Sequence, residues 1–220
     1  MRKLFGILLI LIGALLLCAA LAVTGRNIWQ EERSDAGILQ AMDQLRQQLP
    51  DPTEPTPEAQ PEAPTLPGVE ISPQEDALRP MPEVIIDGVG YVGYLSIPKL
   101  KLELPVIGES SEENLELAPC RFYGTAYQKD FVIGGHRYRR HFRKLSTLGY
   151  GEIIRFTDMD GNEFTYEVTE LEVIEPYEAQ YLCSGDWDLS LFTCTVGGKL
   201  RVTVRCELTW EEPNLSDPLS

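Results

Sequence analysis

Three hydrophobic patterns succeed one another along the chain. From Leu4 to Val23, twenty successive residues are uncharged and mostly aliphatic. At about 1.5 Å of rise per residue, such a run crosses a hydrocarbon core of about 30 Å, which predicts a membrane-spanning helix within an N-terminal segment 1–27. Trp29 follows and suits a lipid–water interface. Ile38, Met42, Leu45 and Leu49 then recur at helical steps, predicting an amphipathic helix over 28–49 that Pro50 ends. Its apolar stripe suits a plain stalk, a pairing with a second copy, or a position on the membrane. From Pro50 to Pro82 ten prolines are scattered among Glu, Asp and Thr with few aliphatics. That composition predicts an extended spacer over 50–83, giving the C-terminal domain reach.

From Val84 onward the period changes to two. Tyr91 to Ile97, Leu102 to Ile107, Phe131 to His136, Glu152 to Asp158, Glu163 to Ile174, Asp188 to Thr195 and Leu200 to Cys206 read as strands. Asp160-Gly161 and Gly197-Gly198 are hairpin signals between successive runs. Short helices are predicted near Glu112 to Leu117 and His141 to Leu148. The pattern is that of a mainly β barrel or sandwich over 84–212, with a tail at 213–220.

Charge sharpens this picture. The net charge is −15, and residues 29–88 hold 13 acidic against 3 basic side chains. A chain so acidic is repelled by phosphate backbones, which argues against a nucleic-acid partner. Arg2 and Lys3 precede the apolar run and Arg26 alone follows it closely, a bias that predicts a cytoplasmic N-terminus with the remainder outside. A cleaved signal peptide is the competing reading, with Ala20-Leu21-Ala22 as its site.

Candidate chemistry concentrates in LSLFTCTVGGKLRVTVR, Leu189 to Arg205. The hairpin brings Cys194, at the end of one strand, near Arg201, at the start of the next. A thiol nucleophile needs nearby positive charge and a donor aimed at a developing oxyanion, and a guanidinium supplies both. His136 closes the run from Phe131 and titrates near neutrality, as a general acid and base must. Arg205 shares the strand parity of Arg201 and is a second candidate for the oxyanion. His141, among Arg137, Arg139, Arg140, Arg143 and Lys144, is an alternative acid whose pKa a cationic neighbourhood would lower. That basic cluster reads first as a solvated helix face, and otherwise as a contact for the pyrophosphate of a lipid-linked precursor. Alone, each residue has a plainer explanation, since cysteines are usually buried hydrophobes and strand arginines usually surface residues.

Cys18, Cys120, Cys183 and Cys206 are expected to be free thiols, although a disulfide is permitted outside the membrane. Two histidines and no C-x-x-C predict no metal and no cofactor. Glu172, Glu175 and Glu178 read as exposed loop carboxylates rather than calcium ligands.

Four segments together resemble the sortase family of cysteine transpeptidases. IGGHRYRRHFRKL from Ile133 resembles the family's strand ending in Gly-His, LFTC from Leu191 its nucleophile motif, and RVTVR from Arg201 its Arg strand. YVGYLSIPKLKLELPVI from Tyr91 resembles its first two strands. The resemblance covers about Gly90 to Leu208. It implies a closed eight-stranded β-barrel, with Cys194 as nucleophile, His136 as general acid and base, and Arg201 as oxyanion stabiliser. It also implies cleavage of an LPxTG-like C-terminal sorting signal through a thioester. Secreted proteins bearing such signals would be the substrates, and a lipid-linked peptidoglycan precursor or a protein amine the acceptor. The enzyme would be a single-pass membrane protein facing outward. The short interval between Ile174 and Asp188 speaks against members with a long helical insertion there, and the lack of a lid-like Asp-Pro-aromatic motif disfavours the pilus-polymerising type, leaving a general anchoring or specialised housekeeping role. An L,D-transpeptidase-like enzyme is an alternative, although its Cys follows Ser-x-Gly and Cys194 follows Phe-Thr. An anchored barrel that only binds wall polymer or a partner is the other.

Overall fold

The computed structural model describes residues 2–49, 79–176, 179–183 and 187–209. Among these are helices α1 (Arg2–Gln48), α2 (Glu112–Leu117) and α3 (Ala179–Leu182). The strands are β1 (Val84–Ile86), β2 (Val89–Ile97), β3 (Leu102–Ile107), β4 (Cys120–Tyr123) and β5 (Phe131–Gly134). They continue with β6 (Ile153–Asp158), β7 (Glu163–Ile174), β8 (Leu189–Cys194) and β9 (Arg201–Leu208). The sheet order is β1-β2-β3-β4-β5-β8-β9-β7-β6, and β6 pairs back onto β2. Eight strands therefore form a closed barrel, which removes its open edges, with β1 added as a hairpin to β2. Leu95, Leu104, Ile133, Phe156, Leu191 and Val204 fill the interior without solvent exposure.

The seven strands expected from period two are present, and β1 and β4 join them. Three and four residues are too few for a period to show. The helix expected over 141–148 is replaced by turns and one 3₁₀ turn at Leu145–Thr147. His141 and Phe142, adjacent in sequence, are both fully buried along with Leu145. The Phe142 amide donates to the His136 carbonyl at 3.2 Å, six residues back rather than the four of an α-helix.

The apolar run and the amphipathic segment form one continuous helix. Leu11, Leu15 to Leu17 and Leu21 are exposed, and this stretch is long and apolar enough to cross a membrane. The stripe of the later turns is covered: Ser34, Asp35, Ile38, Ala41, Met42 and Leu45 are buried. They pack against β1, β3 and α2. What reads as a free stalk is thus a helix docked on the barrel, its apolar residues joined to the barrel core.

Docking changes the meaning of the prolyl segment. Leu49 packs on the core at one end. At the other, Arg79 pairs with Asp160 and its guanidinium lies 5.9 Å from the Tyr127 ring, and Met81 is buried. Residues 50–78, most of the expected spacer, lie outside the described residues, as does the tail. The described residues on either side of it, Leu49 and Arg79, both rest on the barrel assembly.

Leu45→Ala removes a fully buried side chain from the helix–barrel contact. We expect it to destabilise the full chain by about 2–5 kcal/mol, read as a lowered unfolding midpoint in detergent.

Candidate active site

Strand β8 has β5 on one side and β9 on the other. With β5 it is parallel, Gly134 opposite Phe192, and the Gly135 amide donates to the Phe192 carbonyl at 3.1 Å. His136 follows two residues after Gly134, just past the end of β5, as Cys194 follows two residues after Phe192 at the end of β8. With β9 it is antiparallel, and Cys194 is directly opposite Arg201. The three candidates therefore sit at one end of three neighbouring strands, with Cys194 in the middle.

Alternation along β8 separates two faces. Leu189 and Leu191 point into the barrel core. Phe192 points to the other face with Val132, Ile174, Leu182 and Cys183, which form a second apolar cluster. Cys194 and Arg201 share the parity of Phe192, so the half-buried thiol stands at the rim of an apolar surface. Gly134 is required beneath it, because a Cβ there would lie 2.6 Å from the Phe192 ring. Phe122 meets Phe192 edge-on at 5.2 Å.

Two arginines of one strand parity have opposite situations. Arg201 is half-buried, and its contacts to the Gly198 and Leu200 carbonyls are both long at 3.5 Å. Arg205 is fully buried, donating to Glu172 Oε1 and Ser190 Oγ at 2.8 Å each and to the Tyr181 and Leu182 carbonyls at 3.2 Å. Trp187 and Tyr181 cover its guanidinium at 4.3 and 5.1 Å. Its donors are committed, so Arg205 is not an alternative oxyanion ligand. It fastens α3 and Trp187 to the barrel wall. Glu172, considered for calcium, is the partner of Arg205 and accepts from Tyr181, and Glu178 lies outside the described residues. Among the described residues no three His, Cys, Asp or Glu side chains converge as a metal site.

His136 is half-buried, its ring 5.0 Å from that of Tyr138. Burial lowers its pKa below the ordinary imidazole value, with Glu112 and Glu116 opposing. His141 is fully buried and its pKa falls to about 4, first through burial and then through His136, against the raising influence of Asp35 and Leu117. The expected cause, a cationic neighbourhood, does not hold. Arg139 and Arg140 pair with Asp35, and Arg143 with Glu31. These three meet α1 through solvent-exposed ion pairs, from turns rather than from a helix face. His141 faces Ser34, its Nε2 2.7 Å from the hydroxyl oxygen, and is not presented as an alternative acid.

All five cysteines are free. Burial pushes the Cys120 thiol up to about 12 and raises Cys206 as well, so both stay protonated and inert.

A Sortase domain model matches residues 95–209, more than half of the chain. Sortase D of Bacillus subtilis (strain 168) is 29% identical over 86 residues, covering 38% of this chain and 42% of that protein. Sortase A of Bacillus anthracis is 28% identical over 115 residues, covering 50% and 54%. Among solved structures, sortase A from Corynebacterium diphtheriae superposes with a TM-score of 0.52 at 24% identity, covering 57% of this chain and 64% of that one. The chain belongs to the sortase family, whose members are cysteine transpeptidases. It spans about half the length of the curated relatives it matches.

Two outcomes check this description. Arg205→Ala strands Glu172 and Ser190 without their partner and should cost about 3 kcal/mol or more, whereas Arg201→Ala should stay within about 0.5 kcal/mol, by thermal unfolding. His141 binds its proton less readily folded than unfolded, so its contribution is complete above about pH 6.5 and is lost as pH falls towards 4. The loss attributable to it is about 3 kcal/mol, and the stability of His141→Gln should fall less steeply than wild type across that interval.

Proposed function

We propose that the protein is a membrane-anchored extracytoplasmic sortase that cleaves an LPxTG-like C-terminal signal and transfers the protein to an amine of the cell wall or of another protein. The observation that supports this is Cys194 standing directly opposite Arg201 on β8 and β9, with His136 just past the end of β5, the other neighbour of β8, in a chain of this family. The exposed apolar half of α1 supports anchoring.

In this reading Cys194 Sγ attacks the carbonyl carbon of the scissile peptide bond as the thiol proton passes to His136. Charge develops on the carbonyl oxygen, where the Arg201 guanidinium donates. Collapse of the tetrahedral centre breaks the C–N bond, and the departing amine takes a proton from His136, leaving a thioester on Cys194. An acceptor amine then attacks the thioester, His136 recovers a proton from it, and the new amide is released. Burial favours neutral imidazole at His136. The limb of a pH–rate profile due to His136 should therefore lie below that of an exposed histidine.

The test is intact-mass analysis of the full chain in detergent with a library of LPxTG-like peptides and a glycine amine. Wild type should carry an acyl adduct and pass it to the amine. Cys194→Ala should form none, and Arg201→Gln should lose turnover by on the order of a hundredfold or more. An alkylatable Cys194 that forms no adduct with any peptide would count against a sorting-signal substrate.

A further inference from the structure

The helix that rises from the apolar stretch is fastened to the loop that carries His136. Glu31, Ser34 and Asp35 occupy one face of a single turn of α1, at i, i+3 and i+4. Glu31 accepts from the Arg139 amide and from Arg143, both at 2.5 Å. Asp35 accepts from Arg139 at 2.5 Å and lies 3.6 Å from Arg140. Between these carboxylates, Ser34 Oγ is 3.2 Å from the Leu117 carbonyl and 2.7 Å from His141 Nε2.

Proton accounting fixes the direction of these bonds. The Leu117 carbonyl can only accept, so the Ser34 hydroxyl donates to it. The His141 Nε2–H then donates to Ser34, and Nδ1, which has no partner, is a bare lone pair rather than a stranded N–H. A neutral imidazole agrees with a pKa near 4. His141 is thus a strut between α1 and the end of α2. Its ring lies 5.1 Å from Tyr138, whose ring lies 5.0 Å from His136. The loop is closed behind them where Phe142 bonds the His136 carbonyl and packs so tightly on Gly135 that a Cβ there would lie 2.8 Å from its ring.

We propose that Ser34, acting through His141 and Tyr138, is a positioning residue for His136, with Glu31 and Asp35 holding the loop in place. The orientation of the imidazole is then set by the N-terminal helix as well as by the barrel. This rests on the catalytic role given to His136 above.

The full chain in detergent is assayed as wild type, Ser34→Ala, Tyr138→Leu and Tyr138→Phe, with each rate divided by the amount of Cys194 that a thiol reagent titrates. Ser34→Ala and Tyr138→Leu should lower kcat on the order of tenfold with KM little changed, and Tyr138→Phe, which keeps the ring, should recover most of the loss. The ring carbon resonances of His136 in the NMR spectrum should shift in Ser34→Ala. Normal kcat per titrated thiol together with an unmoved His136 resonance would overturn the proposal and leave Ser34 a packing residue. If wild type processes no peptide, the transpeptidase reading fails separately, and the resonance alone decides whether the strut reaches His136.

Discussion

Everything at the candidate site depends on the double ladder of β8. A central strand bonded on both sides cannot slip without breaking two registers. A shift of one residue would turn Cys194 into the core and Leu191 out of it. The antiparallel register with β9 therefore holds Arg201 against Cys194, and the parallel one with β5 brings Gly134 to Phe192, two residues before it. Barrel closure through β6 and β2 then keeps these strands from fraying apart.

The same alternation divides labour between chemically similar residues. Arg201 and Arg205 are two strand repeats apart, yet one begins its strand at a rim and the other sits beneath Trp187 with its donors filled. Cys194 and Cys206 differ likewise, one at the rim and one in the core. Position along the ladder, rather than residue type, separates a reactive setting from a structural one.

Much of this was legible in the sequence because β-branched alternation and paired glycines encode strands and hairpins locally. The opposition of Cys194 and Arg201 follows from Gly197-Gly198 and the strand lengths alone. Less was legible where the meaning of a residue lies in a distant partner. Ile38, Met42 and Leu45 announce a buried stripe without saying what covers it, and Glu31 and Asp35 merge with the acidity around them. A signal was present: two carboxylates four residues apart beside an apolar stripe, and a basic cluster following His136. An arginine alternating with core residues carries no mark of whether it is stacked and sealed, which is why Arg205 could not be told from Arg201.

The unbroken course of α1 from its exposed apolar stretch to the docked turn gives the barrel a fixed angular phase about the helix axis. Each residue added or removed between Val23 and Glu31 would lengthen the rod by only about 1.5 Å but swing the whole barrel by about 100°. The segment should therefore tolerate substitution far better than insertion, and the facing of the barrel rim relative to the apolar stretch of α1 is encoded as a count of residues rather than as any contact.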